Sequence, residues 1–258
     1  MKKLFLIFLI LQTIIDSKPK KNWWKPTAKT TWQWQLANEI DLSYDVEMYD
    51  VDLEETPQET IDLLHEKGIK VICYFNGGAY EPYRKDSSQF YKASLGKVME
   101  GWEDEKWLDI ANYKRFAHIM KARLNLAVKK KCDGVEPDNM DGYTNKTGFK
   151  LKYRHQLRYN KWMAKEAHKR GLSIALKNDL NQIKDLVNDF DFAVNEQCFH
   201  YNECDLLLPF IKKNKAVFGV EYELKPDKFC KKANKMKLSW LKMDDNLDGG
   251  RYSCQDNY

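Results

Sequence analysis

No two cysteines in this 258-residue chain are spaced C-x-x-C, which argues against a zinc ribbon or a thioredoxin-type centre. There is no G-x-G-x-x-G run either, and without that phosphate-cradling turn a dinucleotide-binding fold is disfavoured. Histidine is scarce. Of the five present, His65, His118, His155 and His168 fall in amphipathic, helix-like stretches, and only His200 lies beside a strand-like one. Metal-dependent hydrolases on α/β scaffolds usually need several histidine ligands at strand ends, so that class is disfavoured and no metal is expected. Past the N-terminus no apolar run is long enough to cross a bilayer. Internal repeats, low-complexity tracts and linkers are absent too, so one domain is expected.

The one long apolar run, 4–15, follows Lys2 and Lys3 and is broken only by Gln12 and Thr13. It falls short of the roughly 20 residues that a spanning helix needs, and charge followed by an apolar stretch is the layout of a secretory signal peptide. Cleavage is expected near Ser17. The chain then divides into a signal at 1–17, a basic, Trp-containing lead-in at 18–29 and one domain at 30–258, secreted and free of the membrane. Secretion gives the six cysteines an oxidising surrounding in which an even count can pair fully. Fifteen connectivities are possible. Spacing favours Cys198 with Cys204 across CFHYNEC; Cys73 and Cys132 each sit at or near a strand-like run and could meet in the core, leaving Cys230 for Cys254. The formal charge of +5 comes from lysines interspersed with acids. That is a solvated face, and with no basic motif beside it no nucleic-acid partner is expected.

Short apolar runs alternate with longer amphipathic ones. Strand-like runs occupy 46–52, 71–76, 106–110, 134–138, 173–178, 192–197, 217–222 and 239–243, and helical periodicity fills most of the gaps. Thr56, Pro57 and Gly68 bracket the first helix. Such alternation forces a parallel sheet, and eight strands in a domain of this length favour closure into a (β/α)8 barrel over an open doubly wound sheet. A further strand-like run, TTWQWQL at 30–36, precedes the eight. Either it caps the barrel or the strand count is displaced by one.

In such a barrel the active site is built at the C-terminal ends of the strands. Those ends carry Asp50 and Asp52, Asn76, Asp109, Glu136 and Asp138, Lys177 and Asn178, Asn195, Glu196 and Gln197, and Glu221. Asp and Asn after a strand often serve only as turn and cap residues. Glutamate has no such role, which singles out Glu136, Glu196 and Glu221. The stretch CDGVEPDNMDGY (132–143) crowds Asp133, Glu136, Asp138 and Asp141 together. Clustered acids raise the pKa of one of their number and keep a proton available near neutral pH. Glycosidic-bond hydrolysis requires this, with one carboxylic acid for the leaving oxygen and one carboxylate to attack the sugar or activate water. Along a strand Glu136 and Asp138 face one side and Val135 the other; Pro137 lacks an amide proton, so the ladder is expected to end there with Asp138 at the rim. Trp32, Trp34, Tyr74, Tyr80, Tyr143, Phe199, Tyr201 and Tyr222 lie at or beside strand ends, where aromatic faces can pack on sugar rings.

Eight runs in one order, TTWQWQL, YDVDLEET, KVICYFNGGAYE, LGKVMEGWEDEKWLDI, CDGVEPDNMDGYTNKTGF, LKNDLNQ, NEQCFHYNECD and AVFGVEY, resemble glycoside hydrolase family 114, the endo-α-1,4-polygalactosaminidase family. The likeness spans 30–222 and covers the C-terminal end weakly. It implies a (β/α)8 barrel that cleaves α-1,4-linked galactosamine-containing polysaccharide internally, without cofactor. It also implies a catalytic pair at Asp138, the aspartate of GVEPDN, and Glu196, the glutamate of NEQC. We assign Asp138 as nucleophile, acting with retention, and Glu196 as acid/base; the sequence alone permits the reverse. Around them Trp34, Asp50, Asp52, Tyr74, Glu136, Asn139, Asp141, Tyr143, Lys177, Asn178, Gln197 and Glu221 are expected to bind the polysaccharide in a monomer. Two other classes stay open: a non-catalytic polysaccharide-binding barrel, which would lack one of the two carboxylates, and a metal-dependent phosphodiester hydrolase, which chelators would inactivate.

Overall fold

The computed structural model describes residues 22–257, so the expected signal at 1–17 lies outside the described residues. The strands are β1 (Trp32–Gln35), β2 (Met48–Asp52), β3 (Lys70–Asn76), β4 (Ala79–Tyr80), β5 (Leu95–Met99), β6 (Trp102–Leu108), β7 (Gly134–Asp138), β8 (Ser173–Lys177), β9 (Phe192–Glu196), β10 (Val217–Glu221), β11 (Ser239–Met243) and β12 (Arg251–Ser253). They form one sheet in the order β1-β2-β3-β7-β8-β9-β10-β11-β12 and a second in the order β4-β6-β5. From β1 to β11 every neighbouring pair is parallel, and β12 lies antiparallel on β11. Of the longer helices, α1 (Gln58–Glu66), α3 (Tyr153–Arg170) and, past two short helices, α4 (Pro226–Lys235) follow β2, β7 and β10 of the larger sheet, whereas α2 (Ala117–Lys129) follows β6 and leads into β7.

Trp32–Gln35 is therefore the first barrel strand, and the run at 106–110 is not a barrel strand at all. Its residues up to Leu108 belong to β6, which pairs antiparallel with β4 and β5. The first three residues of β6, Trp102, Glu103 and Asp104, are exposed, which a central strand of a parallel sheet, covered on both faces, could not tolerate. The count is displaced by one, and the β4-β6-β5 sheet is an excursion rising from the C-terminal end of β3.

Two apolar layers hold the barrel. Inside it, Trp32, Met48, Ile72, Phe192, Val194 and Phe218 pack together. Their alternates, among them Tyr49, Val71, Val135, Ile174 and Val217, pack outward on the helices. Burying each large side chain contributes roughly 1.5–3 kcal/mol. Between β1 and β11 side chains and loop backbone replace the ladder. Trp32 Nε1 donates to Ser239 O at 3.0 Å and Ser239 Oγ to Thr30 O at 2.9 Å. Nearer the strands' C-terminal ends, Leu36 N donates to Leu247 O at 3.0 Å and Gln33 Nε2 to Gly249 O at 2.7 Å.

Three disulfides join Cys73 to Cys132, Cys198 to Cys204 and Cys230 to Cys254; the second is the pair that spacing favours, and the other two are pairs the sequence allows. The first ties β3 to the turn before β7 across 59 residues, and the chain-entropy account gives the largest stabilisation, about 4 kcal/mol, to such a long loop. Asp133 sits at the opposite end of β7 from the rim, where it accepts from Val71 N at 3.0 Å and Lys70 Nζ at 2.8 Å. Among the described residues no helix is long and apolar enough to cross a membrane.

Candidate active site

Three adjacent strands end alike. β7 stops at Asp138, β8 at Lys177 and β9 at Glu196, and the next residue in each case has positive φ: Asn139 at 59°, Asn178 at 51° and Gln197 at 63°. Asn tolerates that region and glutamine does so less readily, at a cost of about 1–3 kcal/mol. The chain thus leaves the sheet at once, and each terminal side chain is left at the barrel mouth.

The two-residue pleat sorts the rest. Asp50, Tyr74, Asn76, Glu136, Asp138, Lys177, Glu196 and Tyr222 share parity with inward-facing Met48, Ile72, Ala175, Val194 and Val220. Glu221 is out of step by one and points to the outer layer. There its carboxylate accepts from Phe199 N at 2.9 Å, His200 N at 3.2 Å and Trp240 Nε1 at 3.3 Å, bracing the loop after β9.

Lys177 is the hub. Its Nζ lies 2.9 Å from Glu136 Oε1, 3.2 Å from Asp138 Oδ1 and 3.5 Å from Glu196 Oε2. Its Nζ also lies 4.8 Å from the centre of the Trp34 ring. Burial alone would lower the pKa of this ammonium, but Asp138, Glu136 and Glu196 outweigh it and raise it well above the usual lysine value. Lys177 is 2% exposed, whereas the Asp138 and Glu196 side chains are 20% and 29% exposed. Two reachable carboxylates therefore sit over a buried ion pair. Asp138 also accepts from Tyr74 OH at 3.0 Å and Asn139 N at 2.7 Å. Glu196 accepts from Tyr222 OH at 2.6 Å and Asn178 Nδ2 at 3.1 Å, while Asn178 Oδ1 accepts from Glu196 N at 3.0 Å.

Asp50 lies beneath, fully buried beside Glu136. Asp52 is not free for a ligand: Arg84 grips both its oxygens at 2.9 and 2.6 Å, and Glu54 N and Glu55 N donate to it at 2.8 Å. The Asp141 carboxyl is pushed up to about 6 by burial and by nearby Asp138. Tyr143 stands edge-on to Tyr153, ring centres 5.7 Å apart, and the backbone of Gln197 is tied to Val220 O at 2.8 Å.

Asn76 and Tyr222, named at strand ends but left out of the expected binding set, join the site, as do Glu105, Gly77 and Gly78, which were not expected there. Tyr222 carried a signal, being aromatic and one step past the last residue of β10. Glu105 carried none while 106–110 read as a barrel strand. It accepts from Asn76 Nδ2 at 3.0 Å, and burial, with Glu81 and Asp138 adding to it, pushes its carboxyl up to about 7. Gly77 N and Gly78 N both donate to Asp138 O at 2.9 Å. A Cβ on Gly78 would lie 1.7 Å from Asn139 O, so only glycine lets these two turns meet. Among the described residues no group of His, Cys, Asp and Glu is arranged to hold a metal ion.

The family model of glycoside hydrolase family GH114 matches residues 15–258. Among solved structures, Ega3 of Aspergillus fumigatus, in complex with galactosamine, is 37% identical, with a TM-score of 0.86 over 90% of this chain and 97% of that one. The glycoside hydrolase domain of PelA from Pseudomonas aeruginosa is 13% identical, with a TM-score of 0.71 over 86% of this chain and 98% of that one, and shares the fold. No curated protein matches the chain.

Proposed function

The chain belongs to glycoside hydrolase family GH114 and is a glycosidase, and we propose that it is a secreted, endo-acting hydrolase of α-1,4-linked galactosamine-containing polysaccharide that uses Asp138 and Glu196 with retention. The observation that carries this reading is the pair itself, two solvent-reachable carboxylates facing one buried ammonium. Asp138 Oδ1 lies 3.2 Å and Glu196 Oε2 3.5 Å from Lys177 Nζ, so these two oxygens are no more than about 7 Å apart, a bound that accommodates the roughly 5–5.5 Å spacing of a retaining pair. The galactosamine bound to Ega3 supports the sugar. So does the mouth, where acids outnumber the single ammonium and favour a cationic amino sugar. Three disulfides support an oxidising destination. One chain supplies both carboxylates, so a monomer is sufficient.

In this reading Asp138, oriented by Tyr74, Asn139 and Lys177, attacks the anomeric carbon. The bond to the leaving sugar breaks as Glu196 gives its proton to the departing oxygen. Water then passes a proton to Glu196 and displaces Asp138, and two inversions leave the configuration unchanged. Burial and the charge of Glu196 raise the pKa of Tyr222, so its hydroxyl keeps its proton and can turn between donor and acceptor as Glu196 cycles. Gly78→Ala should lower kcat by about tenfold or more with little change in KM, since displacing a reacting group by about an ångström costs on that order; steady-state kinetics beside a thermal melt checks it.

Incubation with a partly deacetylated α-1,4-linked galactosamine polymer should release short oligosaccharides, with equal rates in the presence of a chelator. Binding without release would make the chain a non-catalytic barrel, and loss of rate to the chelator would make it a metal-dependent hydrolase.

A further inference from the structure

Beneath the rim carboxylates lies an acid pair that the proposed steps leave unused. Asp50 on β2 and Glu136 on β7 are both 0% exposed, and their carboxyl groups are in hydrogen-bonding contact. Three of their four oxygens, both of Asp50 and Oε2 of Glu136, are out of water and face no protein donor; Glu136 Oε1 alone is held, by Lys177 at 2.9 Å.

The surrounding elements offer nothing further. Trp34 on β1 lies opposite Asp50 in register, and its Nε1, buried and itself without a partner, makes no hydrogen bond to either carboxyl group. On β3 the Tyr74 hydroxyl is committed to Asp138. β7 brings Asp138, another acid, and β9 brings Glu196. The single cation, Lys177 on β8, is divided among Glu136, Asp138 and Glu196. Buried carboxylates without donors are costly, and two in contact cannot both ionise cheaply. One proton pairs two of these three oxygens and removes the second charge. Lys177 already bonds Glu136, so the proton belongs on Asp50, where it turns an acceptor into the missing donor.

We propose that Asp50 is held protonated and donates a hydrogen bond to Glu136, and that it is thereby a positioning residue that fixes Lys177 between Asp138 and Glu196. Burial, with the charge of Glu136 adding to it, raises the Asp50 carboxyl well above the usual range, in line with the geometry. The positioning role rests on the reading of Asp138 and Glu196 as the catalytic pair. The protonation does not.

The sign of the linkage gives a test independent of turnover. An unfolded aspartate loses its proton near pH 3.9, whereas folded Asp50 keeps it, so above that pH folding takes up a proton and this contribution to stability falls as pH rises toward the raised folded value. Asp50→Asn keeps the shape and a donor and has no proton to take up. Denaturant titrations of the full chain at three pH values between 5 and 7 should show the unfolding constant of the wild type, divided by that of Asp50→Asn, rising about tenfold per pH unit. A ratio flat in pH overturns the protonation. On the polymer, Asp50→Ala should lose about tenfold or more in kcat with KM little changed, and Asp50→Asn should recover part of it. Equal turnover in two folded variants overturns the positioning role. A wild-type chain inert on the polymer overturns the catalytic reading and the positioning role with it, while the pH ratio still decides the protonation.

Discussion

Asp138→Asn and Glu196→Gln should each lower kcat by about 10³-fold or more while leaving the unfolding midpoint nearly unchanged, because each removes a charge or a transferable proton and keeps the shape. In Asp138→Asn the amide oxygen can still accept from Asn139 N, the Tyr74 hydroxyl can turn to accept from the new amide, and Lys177 keeps Glu136 and Glu196. In Glu196→Gln the amide oxygen can accept from Asn178, and the Tyr222 hydroxyl can turn to accept from the new amide. Steady-state rates beside denaturant titrations separate the two effects. A folded variant that kept most of its turnover would move the role elsewhere. Glu105, the acid at the mouth held near neutrality, would be first in line, ahead of Glu221, which faces the outer layer.

Lys177→Met should cost about 3–5 kcal/mol of stability, the usual result of removing one partner from a buried ion pair, and should take most of the activity with it. Methionine has much the length of the lysine stem, so the cavity is small and the loss is electrostatic. Glu136, Asp138 and Glu196 would then face one another without a cation. Since Lys177 is raised well above the ordinary lysine value of about 10.4, the charge it supplies is constant across neutral pH, and the deficit in the variant should shrink only as acid protonates the carboxylates. Urea titrations at pH 5 and 7 check both the size and the direction. A loss below about 1 kcal/mol at pH 7 would mean that the carboxylates are stabilised by shared protons rather than by Lys177.

Most of the barrel was legible because a parallel strand covered on both faces reads as a short apolar run. KVICYFN and SIALK are such runs. Telling Trp32–Gln35 from 106–110 was beyond the sequence, since both are short and partly apolar and what separates them is pairing with strands far along the chain. The same double burial hides parity: with both faces apolar, no alternation shows whether Glu221 or Tyr222 looks into the mouth. Asp138, Lys177 and Glu196 stood out as charged groups where apolar runs stop, and the structure brings them together; the roles of Asp138 and Glu196 came from family resemblance. Asp52 carried the same signal yet is occupied by Arg84, which arrives from the excursion after β3 and leaves no periodic trace.

In the proposed mechanism Asp138 attacks the sugar directly. Proton NMR of the first product released from an α-1,4-linked galactosamine polymer, recorded before mutarotation, tests it. Direct attack followed by hydrolysis returns the α anomer first. The β anomer appearing first would contradict the account and recast Asp138 as a base acting on water.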